Sequence, residues 1–290
     1  MAEITAAAVK GLRDQTGAGM MDCKKALTET EGDLKAAVKW LREKGISKAA
    51  KKADRAAKEG IVFAQLDEAG KSGVLVEVNC ETDFVAKNET YGAFVSELAN
   101  AVAASGAADL ASALAVSHGD GTIESFVQAK VIELGENLQF RRMERFDLSG
   151  AGVVASYIHL GGKVGVLLEV GCGNADTTGT DGFRELVKDL TLHIAATAPA
   201  GLSQADIPAQ LIEDEKDIIR KQMENSGKPA EIIEKIVVGK LGKFYSEKCL
   251  LEQGFVKDPD TTISALLEAK GKELGDTLTI SRFTRFGLGE

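Results

Sequence analysis

The sequence is short of the residues that carry most active-site chemistry. Its three histidines, at 118, 159 and 193, stand in no His-Glu-x-x-His or comparable ligand spacing, so no metal site is expected. Four cysteines, at 23, 80, 172 and 249, form no Cys-x-x-Cys pair and read as buried, reduced thiols. No Gly-x-Ser-x-Gly elbow occurs, so a serine-hydrolase triad has no anchor. Positive charge is in deficit: 35 Lys and Arg stand against 44 Asp and Glu, a net charge of −9. That balance argues against broad binding to nucleic acid, which needs a cationic surface. No run approaches the roughly 20 apolar residues of a membrane span. The start, MAEITAAAVKGLRDQ, has an early acid and no apolar core of a signal peptide. A soluble, cytoplasmic chain without metal or cofactor is the expectation. With 290 residues, 44% of them hydrophobic, it can bury the cores of two or more domains.

What the sequence does have is repetition. Residues 60–80 and 152–172 align without a gap at an offset of 92, with 10 of 21 positions identical. Residues 122–148 and 262–288 align at an offset of 140, with 12 of 27 identical. Each copy reads as two strands and a helix, then a helix and a strand. Strands are expected at 61–67, 73–79, 153–159 and 164–170. The pattern predicts an α+β fold: a three-stranded antiparallel sheet with helices on one face, present twice.

The growth in offset places a 48-residue insertion in the second copy. Leu211, Ile212, Ile218, Ile219 and Met223 hold helical spacing, Ser226-Gly227-Lys228-Pro229 turns the chain, and Ile232, Ile233, Ile236, Val237, Leu241 and Phe244 return. This is a helical hairpin, a self-contained antiparallel pair or a face for a second subunit. At the other end, Ile4, Ala8 and Leu12, then Met20, Met21 and Leu27, then Leu34, Val38 and Leu41 mark three short helices, the last closed by Gly45. So small a core is expected to dock on something larger. The basic stretch 48–58 lacks large apolar side chains and reads as a solvated helical linker.

Two glycine-rich stretches fail as phosphate cradles. Thr16-Gly17-Ala18-Gly19-Met20-Met21 lacks the Gly-Lys-Ser/Thr of a phosphate loop and joins helices, while Gly161-Gly162-Lys163 sits in a hairpin turn. The copies disagree after Cys80. Glu81-Thr82-Asp83-Phe84-Val85 stands in the first where the second has Gly173-Asn174-Ala175-Asp176-Thr177. Thr82 or Asp83 as a helix cap with Phe84 folded inward accounts for the residue types. An exposed Phe84 beside a carboxylate, serving as a contact anchor, accounts for the disagreement between copies.

Thr16 to Leu27 (TGAGMMDCKKAL), Asn79 to Ala86 (NCETDFVA), Gly135-Glu136-Asn137 with Arg141-Arg142, and His193-Ile194-Ala195-Ala196 together resemble bacterial translation elongation factor Ts over essentially the whole chain. The resemblance implies a guanine nucleotide exchange factor for elongation factor Tu, and not an enzyme. It implies that Thr82, Asp83, Phe84 and Val85 intrude beside the magnesium and phosphate site of that GTPase. The N-terminal module, around Leu12, Gly19, Met20 and Met21, would grip its nucleotide-binding domain, and the His159 hairpin would face another domain. Longer family members continue into a C-terminal helical module, and with an end at Glu290 that contact is expected to be absent.

The expected layout is a three-helix partner-binding module at 1–46, a helical linker at 47–59 and a first core repeat at 60–150. A second repeat follows at 151–198 and 250–290, with the hairpin inserted at 199–249. Homodimerisation through 209–245 stands as an open possibility. Two rival readings make different demands. An α/β nucleotide-dependent transferase using Gly17–Gly19 would bind GDP directly, and a scaffold using 48–58 would bind RNA in a salt-dependent way.

Overall fold

A computed structural model describes residues 4–16, 18–50, 52, 54–224 and 228–290, with the backbone alone at 42 and 45–50. Gly17 of the glycine turn, Ser226 and Gly227 of the hairpin turn, and 51 and 53 in the linker lie outside the described residues.

The chain opens with helices α1 (Ala6–Thr16), α2 (Met20–Glu29) and α3 (Leu34–Ala50). Their core is small: Val9, Leu12, Cys23, Ala26, Leu27 and Ala37 are buried together. Gly45 does not end α3. A lone glycine costs about 1 kcal/mol against alanine in a helix, and the helix-forming residues after it carry α3 on to Ala50. Residues 54–58 then leave the helix and Glu59 is already in a strand, so the linker is not helical throughout.

The first repeat follows as β1 (Glu59–Leu66), β2 (Ser72–Cys80), the single turn α4 (Asp83–Ala86), α5 (Glu89–Ser105), α6 (Leu110–Leu114), a two-residue ribbon β3 (Ser117–His118) and β4 (Gly121–Thr122), α7 (Ile123–Leu134) and β5 (Gln139–Asp147). Thr122 caps α7 in a reciprocal pair with Ser125, and Gly135, at φ 79°, ends it. The strands form an antiparallel sheet in the order β1-β2-β5. The second repeat runs β6 (Gly152–His159), β7 (Val164–Cys172), α8 (Asp181–Thr197), the hairpin α9 (Ala209–Met223) and α10 (Ala230–Lys248), a short ribbon β8 (Gly254–Phe255) and β9 (Asp258–Thr262), α11 (Ile263–Leu274) and β10 (Leu278–Gly287). Its sheet order is β6-β7-β10, again antiparallel. The fold is α+β, as its residues predict.

Strand β2 explains how the layers stack. Val74, Val76, Val78 and Cys80 face α5 and α7, while Leu75 faces the other sheet with Val62, Val154, Leu167, Phe146 and Phe286. A central strand buried on both faces reads as a nearly continuous apolar run, which is what GVLVEVNC is. The sheets therefore pack face to face with helices outside. Each hairpin turn accepts a hydrogen bond from the first strand of the other sheet: Val62 N–H to Gly162 O and Val154 N–H to Gly70 O, both 2.8 Å.

The N-terminal helices dock as their small core requires, with α3 against α7. Lys52 donates to the carbonyl of Gly135, and Asn137 donates to that of Arg55 at 2.8 Å. On α11, the counterpart of α7, Gln128 and Ile132 are replaced by Glu268 and Lys272, an exposed ion pair at 2.6 Å beside an open cleft of about 750 Å³. The inserted hairpin packs on itself through Ile219, Val237, Leu241 and Phe244, leaving Leu211, Ile218, Ile232 and Val238 outside.

Candidate partner-binding site

Strand β2 ends at Cys80 and the chain turns sharply into α4. Thr82 caps that turn, its hydroxyl oxygen accepting the Val85 N–H at 3.4 Å. Val85 and Ala86 lean into the core of the first repeat. Phe84 does not. It is 82% exposed, so the inward staple is not formed. Asp83, one residue before, is bound by Lys87 at 2.7 Å. That hydrogen bond and charge, with a smaller contribution from Lys163, hold the Asp83 carboxyl below the usual carboxylate range.

The loop is clamped from behind. Glu136, in the corner between α7 and β5, accepts the backbone N–H groups of Glu81 at 3.1 Å and Thr82 at 3.0 Å, and the Thr82 hydroxyl at 2.5 Å. Glu81 accepts the Asn137 N–H at 2.6 Å and pairs with Arg55 at 3.5 Å. Cys80 Sγ donates to Thr82 O at 3.2 Å. Burial first, then the Glu136 charge, pushes the Cys80 thiol up to about 11, so it stays protonated. Hydrogen bonds to a charged acceptor are worth roughly 1.5–3 kcal/mol each. Three on one carboxylate make this a rigid corner.

The second repeat has the same corner with shorter parts. Asp276 accepts the N–H groups of Gly173 (2.9 Å), Asn174 (3.0 Å) and Thr277 (2.7 Å) and the Thr177 hydroxyl (2.5 Å). The Thr177 bond, followed by these N–H donors, lowers its pKa. A Cβ at 173 would lie 2.5 Å from Asp276 Oδ1, so any larger residue there would push the carboxylate out of this set of bonds. The equivalent of Phe84 is Asp176, in the 3-10 turn Ala175–Gly179. The clamp is common to both copies; the exposed aromatic belongs to one.

Packing of the two sheets brings the His159 hairpin to the same end of the molecule. Lys163 reaches Glu59 at 2.6 Å, and Glu59 pairs across the ladder with Cys80. His159 is exposed, its Nδ1 bonded to the Tyr157 hydroxyl at 2.9 Å. Beside it Leu160 is 71% exposed and held at φ 49°, where the first copy has Glu68. Residue-type reading misses Leu160 because an apolar residue in a turn carries no motif.

In the N-terminal module Gly19, Met20 and Met21 stand at the start of α2, the methionines 53% and 75% exposed. Leu12 is different. It is fully buried between α1 and α2, so it shapes the module and offers a partner no surface. His193 is likewise buried, bonded to Gln253 Oε1 at 2.9 Å and to the Val256 N–H at 3.3 Å.

A family profile described as Elongation factor TS matches residues 81–290, beginning at the first residue of the clamped loop. The chain belongs to the elongation factor Ts family. Elongation factor Ts of Clostridium perfringens (strain SM101 / Type A) is 48% identical over 288 residues, covering 99% of this chain and 93% of that protein. The factor of Trichlorobacter lovleyi is 46% identical over 290 residues and that of a Nitratiruptor species 44% over 287, with the same two coverages. For an elongation factor Ts, the arrangement suits displacement rather than reaction: a rigid corner, a projecting ring and a carboxylate kept ionised. Among the described residues no cluster of His, Cys, Asp and Glu has the makings of a metal site. No helix among them is long and apolar enough to cross a membrane.

Proposed function

We infer that this chain is the guanine nucleotide exchange factor for elongation factor Tu, working in translation elongation in the cytoplasm. It forms and breaks no covalent bond. Exchange needs only that the factor bind the nucleotide-free GTPase more tightly than the GDP-bound one. By linkage it weakens nucleotide as much as nucleotide weakens it, and GTP then displaces the factor by mass action.

The observation that carries this reading is Phe84, an aromatic ring in solvent on a loop held by Glu136. Phe84 wedges between elements of the GTPase, Asp83 disfavours the magnesium and phosphate arrangement, and Thr82 and Val85 fix their direction. Met20 and Met21, with Gly19 allowing close approach, grip the nucleotide-binding domain, and Leu12 supports them from inside. The His159 hairpin is the second grip. The layout of modules follows: 1–46 grips, 60–150 wedges, and 151–198 with 250–290 clamps.

The outer stripe of Leu211, Ile218, Ile232 and Val238 is the surface on which a second copy would pair, and a monomer in sedimentation velocity removes that part of the proposal. The exchange role itself is tested by GDP dissociation from purified elongation factor Tu with and without this chain. Acceleration that saturates with factor supports it; an unchanged rate contradicts it.

A further inference from the structure

The Glu136 corner suggests a role beyond stability. Three features single it out. Its carboxylate takes two consecutive N–H groups and a hydroxyl from the residues directly before Asp83 and Phe84. It lies across 55 residues of sequence from the loop it holds, so it ties the direction of α4 to the α7–β5 corner, where Lys52 also donates to the Gly135 carbonyl. The second repeat offers an internal comparison, since Asp276 accepts the two matching N–H groups, and the hydroxyl of Thr177 in place of that of Thr82, from a loop without an exposed aromatic.

The two corners also differ in a way that matters for length. In the second, a short acid meets a glycine that comes close to it. In the first, a longer acid meets Glu81, whose own carboxylate answers with the Asn137 N–H at 2.6 Å. Aspartate at 136 would draw the carboxylate back by one methylene, away from the Glu81 and Thr82 donors. Fold and charge would remain, and the aim of the loop would loosen.

We propose that Glu136 is a positioning residue for nucleotide exchange, holding Thr82 so that Asp83 and Phe84 enter the partner in one orientation. This rests on the reading of Phe84 as the wedge. A ring that must reach a fixed place in another protein acts through its direction. Misplacement by about 1 Å at a reacting centre costs on the order of a hundredfold, and a loosened loop that still visits the right pose should lose less.

The test is GDP release from elongation factor Tu over a range of factor concentrations, with wild type, Glu136→Asp, Glu136→Ala, Asp276→Ala and Phe84→Ala, each checked by thermal melting. The expected result is a maximal release rate lowered by about tenfold in both Glu136 variants, with a smaller change in the half-saturating concentration. Asp276→Ala, the same loss of clamp in the other repeat, should leave the maximal rate near wild type. An unchanged maximal rate in both Glu136 variants overturns the proposal, as does an equal fall in Asp276→Ala. If Phe84→Ala is also without effect, the wedge reading itself has failed; if only Phe84→Ala slows release, positioning by Glu136 alone has failed.

Discussion

Arg142 reaches out of its own sheet to lie 4.2 Å from the centre of the Phe286 ring in the other. It does so while bound to Glu77 at 2.6 Å and donating to Gly287 O at 2.9 Å. Arg282 repeats the arrangement in reverse, over Phe146, with Glu169 at 2.8 Å and Asp147 O at 3.0 Å. The two repeats meet like the halves of a two-fold dimer, each giving the other the same contact.

The junction is not quite symmetric, and stability should report it. Glu77 also has Arg141 at 3.5 Å, the Asn79 amide at 3.1 Å and the Gly289 N–H at 3.3 Å. Glu169, equally buried, relies on Arg282. Removing one partner of a buried pair strands the other charge. Arg282→Ala should therefore cost about 3 kcal/mol, the low end for such a loss because Arg282 is half exposed. Arg142→Ala should cost less. Urea unfolding of the two variants checks the order, and equal or reversed losses contradict it.

His193 makes stability depend on pH. Its Nδ1 accepts the Val256 N–H, so the ring proton sits on Nε2 and is given to Gln253. A second proton on Nδ1 would face a donor. Burial holds the folded pKa below the ordinary value, near 6.5 in the unfolded chain, so the unfolded state binds the proton more readily. This contribution to stability is complete above about pH 6.5 and is lost as pH falls toward and through the folded value. Melting midpoints at pH 7.5 and 5.5 should fall further for wild type than for His193→Asn. The same pH slope in both would contradict the account.

In the N-terminal module stability and binding should separate. Leu12→Ala opens a cavity in a core of few residues and should cost roughly 2–5 kcal/mol, enough to undo the module. Met20→Ser with Met21→Ser changes exposed side chains and should move stability by no more than about 0.5 kcal/mol. It should nonetheless weaken association with nucleotide-free elongation factor Tu. Thermal melting alongside affinity measurements checks both. Unchanged affinity in the methionine variant would remove these residues from the grip.

Much of this fold is written in local pattern. The strands of both repeats, the helix after Asn88 and the arms of the hairpin follow from apolar periods of 2 and 3.6, which report the face that is buried. Leu12 shows the limit. Its spacing with Ile4 and Ala8 marks it as a core residue, and burial agrees; the contact role implied by resemblance needs a surface it does not have. Gly45 misleads because the cost of one glycine is small beside the helix formers on either side of it. The orientation of Phe84 is not legible either, since a cap and a staple fit the same residue types. It depends on Glu136, 52 residues further on, whose counterpart Asp276 is a shorter acid and so escapes a match by identity. Contacts between distant segments leave little trace in local spacing.

The most direct test of the central claim is stopped-flow GDP release from elongation factor Tu at saturating factor, with wild type and Phe84→Ala compared. Phe84 touches little of its own chain, so the variant should fold and melt as wild type does. The account predicts a maximal release rate lowered by about tenfold or more, the loss of a hot-spot contact of about 2 kcal/mol being the guide. Undiminished acceleration by a folded Phe84→Ala variant would contradict it.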